Sequence, residues 1–196
     1  MSVLAAPVGG RPRDPRIDAA VLRATTELLE NVGYLKLSVA AIAERAGTNK
    51  PAIYRRWPTK AHLVHEAVFP VEGLVTETVD GDLRADLRAL VALGAELLAR
   101  PAARAALPGL IAEMMGDPVR HADVLSRLEA GRWTWLDRRL AAAAEAGEVR
   151  AGVASSTVLE LVAGATLVAA LLRGPADLDD GWVDGVVDLI MGGITT

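Results

Sequence analysis

Thr48, Asn49, Lys50, Tyr54 and Arg55 bring a hydroxyl, an amide, an ammonium, a phenol and a guanidinium into one short stretch. Such a set can hydrogen-bond base edges and phosphates in a DNA major groove if one helix presents it. The other residues with chemical potential are less productive. His62-Leu63-Val64-His65-Glu66 places two imidazoles one helical turn apart, but it matches neither H-E-x-x-H nor H-x-x-E-H, and His121 is the third histidine. These histidines read as structural or surface residues, so no metal site is expected. The chain has no cysteine, which excludes disulfides, thiolate zinc sites, iron–sulfur clusters and a cysteine nucleophile. Neither a glycine-rich phosphate loop nor a G-x-S-x-G elbow occurs. No catalytic residue and no cofactor are expected.

Charge is divided along the 196 residues. Residues 1–66 hold ten Lys or Arg against six Asp or Glu, a net of +4, and the remainder carries −8. A basic first part suits a polyanionic partner, because phosphate neutralisation supplies most nonspecific nucleic-acid affinity. An ordinary solvated surface is the plain alternative. Met1–Val8 is apolar but short and lacks a basic flank, so it is not expected to act as a signal peptide. The apolar run from Leu161 to Leu172 falls short of the ~20 residues that cross a bilayer and reads as a buried helix. A cytoplasmic protein with no membrane partner is expected.

The elements that must position these residues are helical. Ala, Leu, Arg and Glu are abundant, Tyr and Phe total three, and no strand-like alternation appears. Asp14-Pro15 opens a first helix in which Ile17, Val21, Ala24 and Leu28 recur at helical spacing up to Gly33. Ser38 caps a second, with Val39, Ile42, Ala43 and Ala46 buried and Gly47 at its end. Asn49 caps a third that tolerates Pro51 and turns Ile53 and Trp57 inward. Thr59 caps a fourth that carries Leu63, Val64, Ala67 and Val68 and ends before Pro70. Longer helices are expected from Asp82, Pro101, Asp117-Pro118, Thr157 and Asp179 or Asp180, with Thr157 and Glu160 as a capping box. Residues 38–57 thus form a helix-turn-helix pattern, although two short helices around a glycine also fit a plain bundle.

From Arg16 to Val68 the chain resembles the DNA-binding domain of TetR-type bacterial transcriptional regulators. The resemblance rests on Ser38-Val39-Ala40-Ala41-Ile42-Ala43-Glu44-Arg45-Ala46-Gly47 followed by Ile53-Tyr54-Arg55-Arg56-Trp57-Pro58-Thr59-Lys60. It implies an all-α homodimer, with an N-terminal helix-turn-helix three-helix domain followed by a larger helical domain for ligand binding and dimerisation. Ser38, Tyr54 and Lys60 become phosphate contacts by this resemblance, and Thr48, Asn49, Lys50, Pro51 and Arg55 face bases or adjoining phosphates. Thr48, Pro51 and His62 depart from the family's usual valine, glycine or alanine, and acidic residue. Gly10-Arg11-Pro12-Arg13 resembles the core of an AT-hook. Its Arg11 and Arg13 suit either minor-groove insertion or nonspecific phosphate attraction.

In the second half, Trp135 shares an apolar stripe with Val124, Leu125 and Leu128, while Met114 and Met115 close another helix. Together with Phe69 these residues are candidate walls for an apolar effector pocket, and ordinary core packing is the alternative for each. Leu161, Gly164, Leu167, Val168 and Leu171 lie on an almost wholly apolar helix, and Trp182, Val183, Val186 and Ile190 form a stripe opposite acidic residues. The resemblance places the dimer interface on these two terminal helices. The expected organisation is a basic arm over 1–13, a helix-turn-helix domain over 14–69 and an effector-binding and dimerisation domain over 70–196. The expected function is that of a regulator that binds double-stranded operator DNA and is most simply a repressor released by an apolar or aromatic small molecule. A helical small-molecule-binding protein or enzyme with a structural helix-turn-helix is the alternative.

Overall fold

The computed structural model describes residues 15–69, 81–116 and 134–195. The basic arm, the cap Asp14, the boundary near Pro70 and the helix start at Asp117-Pro118 lie outside these residues. Helix α1 (Pro15–Lys36) buries Val21, Ala24, Thr25 and Leu29 along one face, as its helical period dictates. Thr25 meets burial by donating its hydroxyl proton to the Val21 carbonyl at 2.8 Å. Ile17, expected on that stripe, is 41% exposed. At Gly33 the backbone takes φ 71, a conformation that glycine adopts freely, and helix resumes from Tyr34 to Lys36.

Three short helices follow: α2 (Val39–Arg45), α3 (Lys50–Tyr54) and α4 (Lys60–Val68). Each begins where a side-chain oxygen can accept from an otherwise unpaired amide. Beyond them come α5 (Leu83–Ala99), α6 (Pro101–Gly116), α7 (residues 134–145), α8 (Ser155–Leu172) and α9 (Asp180–Ile194). Asp82 caps α5 and Asp179 caps α9, each accepting a backbone N–H at 2.9 Å. The start of α8 differs from expectation. It lies at Ser155 rather than Thr157, its cap Ala154 makes no side-chain bond, and Thr157 and Glu160 are exposed. Burial of Ser155 and Val158 continues the apolar register of this helix upstream, so packing overrides the capping-box pattern.

Two main cores hold the molecule together, and the first crosses the expected domain boundary. Val21, Leu29, Ile42, Ile53, Leu63 and Val64 pack with Ala102, Ala103, Ala106 and Leu110 of α6. A helix of the second half therefore completes the core of the first. Small residues on α6 let α1 approach closely: a Cβ added to Gly109 would overlap the Tyr34 ring. The second core joins Leu83, Leu87 and Val91 of α5 to Leu136 and Leu140 of α7, Val158 and Val162 of α8, and Val183, Val187 and Ile190 of α9. The buried Arg139 guanidinium reaches Asp86 at 2.8 Å and the Gly81 carbonyl, fixing α7 against α5. Arg88 reaches Asp180 and Asp184 of α9 at 2.6 and 2.8 Å, and Arg84 pairs with Asp188. Near the C-terminus, the Arg150 amide donates to the Ile194 carbonyl at 2.8 Å.

Candidate nucleic-acid interface

The turn between α2 and α3 is built by backbone bonds that only a left-handed residue permits. Gly47 has φ 65; its amide donates to Glu44 at 3.2 Å and the Thr48 amide donates to Ala43 at 2.9 Å. This pair of hydrogen bonds satisfies two orphan carbonyls of α2 and turns the chain towards α3. Ser38 Oγ accepts from the Ala41 amide at 3.2 Å, and Asn49 Oδ1 accepts from the Ala52 amide at 2.9 Å. Both caps act through acceptor atoms, which leaves the Ser38 hydroxyl proton and the Asn49 amide protons for a phosphate or a base edge.

Behind α3, Ile53 is 1% and Trp57 4% exposed. Trp57 Nε1 donates to Glu66 at 2.8 Å, tying the end of α3 to α4. The opposite face is open: Asn49, Lys50, Pro51, Tyr54 and Arg55 are exposed together, and Thr48 beside them is half-buried. Ion pairing separates the cations of this region. Arg45 is held by Glu27 at 2.6 Å and Arg56 by Asp18, whereas Lys50 and Arg55 make no ion pair among the described residues. The two unpaired cations lie on the exposed face of α3 and just past its end.

Lys60, expected at a phosphate, is half-buried at the first residue of α4. Its Nζ donates to the Tyr34 carbonyl at 3.1 Å and lies 4.0 Å from the centre of the Tyr34 ring. A cation at the first residue of α4 is thereby matched to the carbonyl end of α1. This contact braces α4 against α1. His62, the family departure next to it, is 8% exposed and belongs to the interior. No group of three metal-ligating side chains occurs among the described residues.

A second concave site lies on the far side of α4. A cavity of about 270 Å³ is lined by Phe69 at the end of α4, Leu97 of α5, Leu107 of α6, Trp135 of α7, and Val162 and Leu167 of α8. Phe69 and Trp135 were expected in such a wall. Met115 was expected too, but it is 83% exposed on the last turn of α6; the apolar face of that helix is used further up, through Leu107. The Met114 side chain lies outside the described residues. Leu107 has no distinguishing signal in the sequence, because α6 is apolar on both sides and only packing assigns its faces.

The residues expected at a subunit interface divide four ways. Leu161, Gly164, Val168 and Leu171 of α8 are exposed in the single chain, at helical spacing along one face. That stretch is therefore not the fully buried helix expected from its composition. Leu167 faces the cavity instead, and Val183 and Ile190 of α9 are buried in the chain's own core at 2% and 5% exposure. Trp182 and Val186 are half-buried at the edge of that core. Leu172 and Leu189, at 80% and 79% exposure, extend the open apolar face and were missed by sequence reasoning.

Similarity to known proteins agrees with both halves of this arrangement. Residues 21–67 match the family described as bacterial regulatory proteins, tetR family, and residues 79–190 match the tetracyclin repressor-like C-terminal domain. The chain is 28% identical over 197 residues to an uncharacterised HTH-type transcriptional regulator of Mycobacterium bovis, covering 96% of this chain and 95% of the relative. It is 27% identical over 175 residues to the DNA-binding transcriptional repressor TetR of Mycobacteroides abscessus, covering 88% and 90%. A crystal structure of a TetR family transcription regulator superposes with a TM-score of 0.61 at 27% identity, covering 92% of this chain and all of the other. The exposed α3 face, the core completed by α6 and the matches to both family domains lead to one conclusion: this chain belongs to the TetR family of helix-turn-helix transcriptional regulators.

Proposed function

We propose that this regulator is a homodimeric repressor that reads duplex operator DNA with α3 and is released by a small apolar or aromatic effector bound in the 270 Å³ cavity. The observation that carries this reading is the placement of α4. Its N-terminus, at Thr59 and Lys60, follows the recognition helix directly, and Phe69 at its other end forms part of the cavity wall. Nine helical residues span only about 14 Å, so an occupant that displaces Phe69 tilts the support of α3. An effector that favours the non-binding arrangement by about 1–3 kcal/mol lowers operator affinity roughly 5- to 150-fold, and operator must weaken effector binding by the same factor.

In this reading residues 14–69 bind DNA, residues 70–196 bind effector and dimerise, and Arg11 and Arg13 of the 1–13 arm add phosphate or minor-groove contacts. It also makes the protein a cytoplasmic non-enzyme. The exposed row Leu161, Gly164, Val168 and Leu171, extended by Leu189, supports pairing with a second copy.

Selection from random duplex DNA, followed by anisotropy titration, tests the DNA half. A partly palindromic site is expected, with affinity falling steeply with salt as counterions are displaced. Lys50→Ala or Arg55→Ala costs about 1–3 kcal/mol and relaxes base preference. Failure of the folded protein to bind any selected duplex overturns the reading. For the dimer, Val168→Glu with Leu171→Glu yields a folded monomer in sedimentation, since both positions are already wet in the single chain. A monomeric unmutated protein at micromolar concentration rules the dimer out.

A further inference from the structure

A lysine that only balances charge keeps its ammonium in water. Lys60 is half-buried, its Nζ donates to the Tyr34 carbonyl at 3.1 Å, and the same nitrogen lies 4.0 Å from the centre of the Tyr34 ring. Carbonyl and ring belong to one residue, so a single partner fixes the ammonium in two directions. That partner is itself held. Tyr34 is 4% exposed, Gly33 at φ 71 breaks α1 immediately before it, and Gly109 of α6 abuts its ring so closely that a Cβ there would overlap it.

What this anchor positions follows from chain order. Helix α3 ends at Tyr54 and α4 begins at Lys60, with only residues 55–59 between them. Within that link the buried Trp57 donates to Glu66 of α4 at 2.8 Å, and the Thr59 hydroxyl accepts from the His62 amide at 3.2 Å. The link is fastened to α4 at both points. The end of α3, where Tyr54 and Arg55 are exposed, therefore follows the start of α4, and the start of α4 is tied to Tyr34.

We propose that Lys60 is a positioning residue for operator binding: it stays on Tyr34 in the complex and sets the placement of α3 against the duplex, instead of neutralising a phosphate. This rests on the reading of α3 as the operator-binding helix. Lys50 and Arg55, which make no ion pair among the described residues, supply the counterion release around α3. Lys60 supplies order, because an anchor formed before DNA arrives spares the cost of fixing α4 on binding. By the same argument Tyr34 controls operator affinity without touching DNA.

The chain has three lysines, Lys36, Lys50 and Lys60, so full-length protein carrying 13C at the lysine Cε gives three methylene signals to follow. The ring current of Tyr34 should place the Lys60 Hε protons clearly upfield of the other two. In the complex with a selected duplex that upfield position should persist, with Lys50 on the exposed face as the marker that α3 has docked. Its absence from the free protein, or its loss on binding, overturns the proposal. Salt titration gives a second measure. Lys60→Met should weaken operator binding roughly 2- to 30-fold with an unchanged slope of log affinity against log salt, whereas a lost phosphate contact makes that slope shallower by about 0.9. A shallower slope overturns the proposal. Tyr34→Leu removes the ring and should weaken operator binding at temperatures where circular dichroism shows complete folding, while Tyr34→Phe keeps the ring and should stay within about twofold of the unmutated protein. Equal affinity in both folded variants reduces the contact to a stabilising one and overturns the proposal; the lysine signals of the unmutated protein decide the matter even if the variants fold poorly. If no selected duplex binds, the operator reading falls and the proposal with it. Failure confined to the lysine signals or the salt slope leaves that reading standing.

Discussion

Trp57 and Trp135 are both buried indoles, and the regions around them solve opposite problems. Around Trp57 the polar groups are closed within the chain: Ser38, Asn49 and Thr59 each accept a helix-end amide, and Trp57 itself donates to Glu66. Around Trp135 the walls are hydrocarbon, and the indole donor has no hydrogen-bond partner among the described residues. A surface that reads DNA must hold its donors at fixed spacing before the partner arrives, because ordering them on binding would cost affinity. The cavity, by contrast, offers shape and apolar surface rather than fixed donors. The contrast is bridged by α6, whose Ala103 and Ala106 complete the first core while Leu107 lines the cavity. Pro108 within it has no amide hydrogen to stabilise that turn.

The contrast breaks most visibly if the cavity half loses its internal frame. Arg139→Met leaves the Asp86 carboxylate without its buried partner and should cost about 3–5 kcal/mol in denaturant unfolding. A loss below 1 kcal/mol would show that hydrocarbon packing alone positions α7.

The bridge itself is tested by Gly109→Ala. The added methyl group collides with the Tyr34 ring, which must move together with the Lys60 ammonium resting on it. Destabilisation of about 1–3 kcal/mol is expected, with weakened operator binding in the fraction that remains folded. Unchanged operator affinity would mean that the Tyr34 contact holds the halves together without relaying anything.

A smaller effect sharpens the same joint through pH. Burial, reinforced by the facing Glu113 carboxylate, holds the Tyr34 phenol well above its ordinary value near 10. The unfolded chain loses that proton first, so the contribution of Tyr34 to stability is complete below pH 10 and declines as pH rises above it. Tyr34→Phe should flatten this alkaline decline and change stability little at pH 7. An identical alkaline profile in the variant would assign the decline to other groups.

Caps and short-range spacing made the DNA-facing unit readable. Ser38, Asn49 and Thr59 each begin a helix as expected, Gly47 adopts the left-handed turn, and Ile53 and Trp57 point inward. These are local effects, settled within four residues by orphan amides and steric limits. Lys60 shows where that reading stops: its position at the start of α4 was legible, but its engagement with Tyr34, 26 residues earlier, depends on how α1 and α4 pack. In the second half the composition of α8 marked it as apolar without indicating which face meets what. Leu167 and Val168 are neighbours in sequence, yet one lines the cavity and the other faces outward.

The sequence by itself determined the all-helical class, the helix-turn-helix and the identity of the exposed donors on α3, because helix propensity, capping and the 3.6-residue period act over distances shorter than one helix. Only the tertiary structure decided that α6 completes the first core, that Met115 faces outward while Leu107 lines the cavity, and that Val183 and Ile190 belong to the chain's own interior. Helices that are apolar on several faces carry no preference of their own among those faces. Their orientation is set by the volume and shape of whatever packs against each one, a property of the assembled chain.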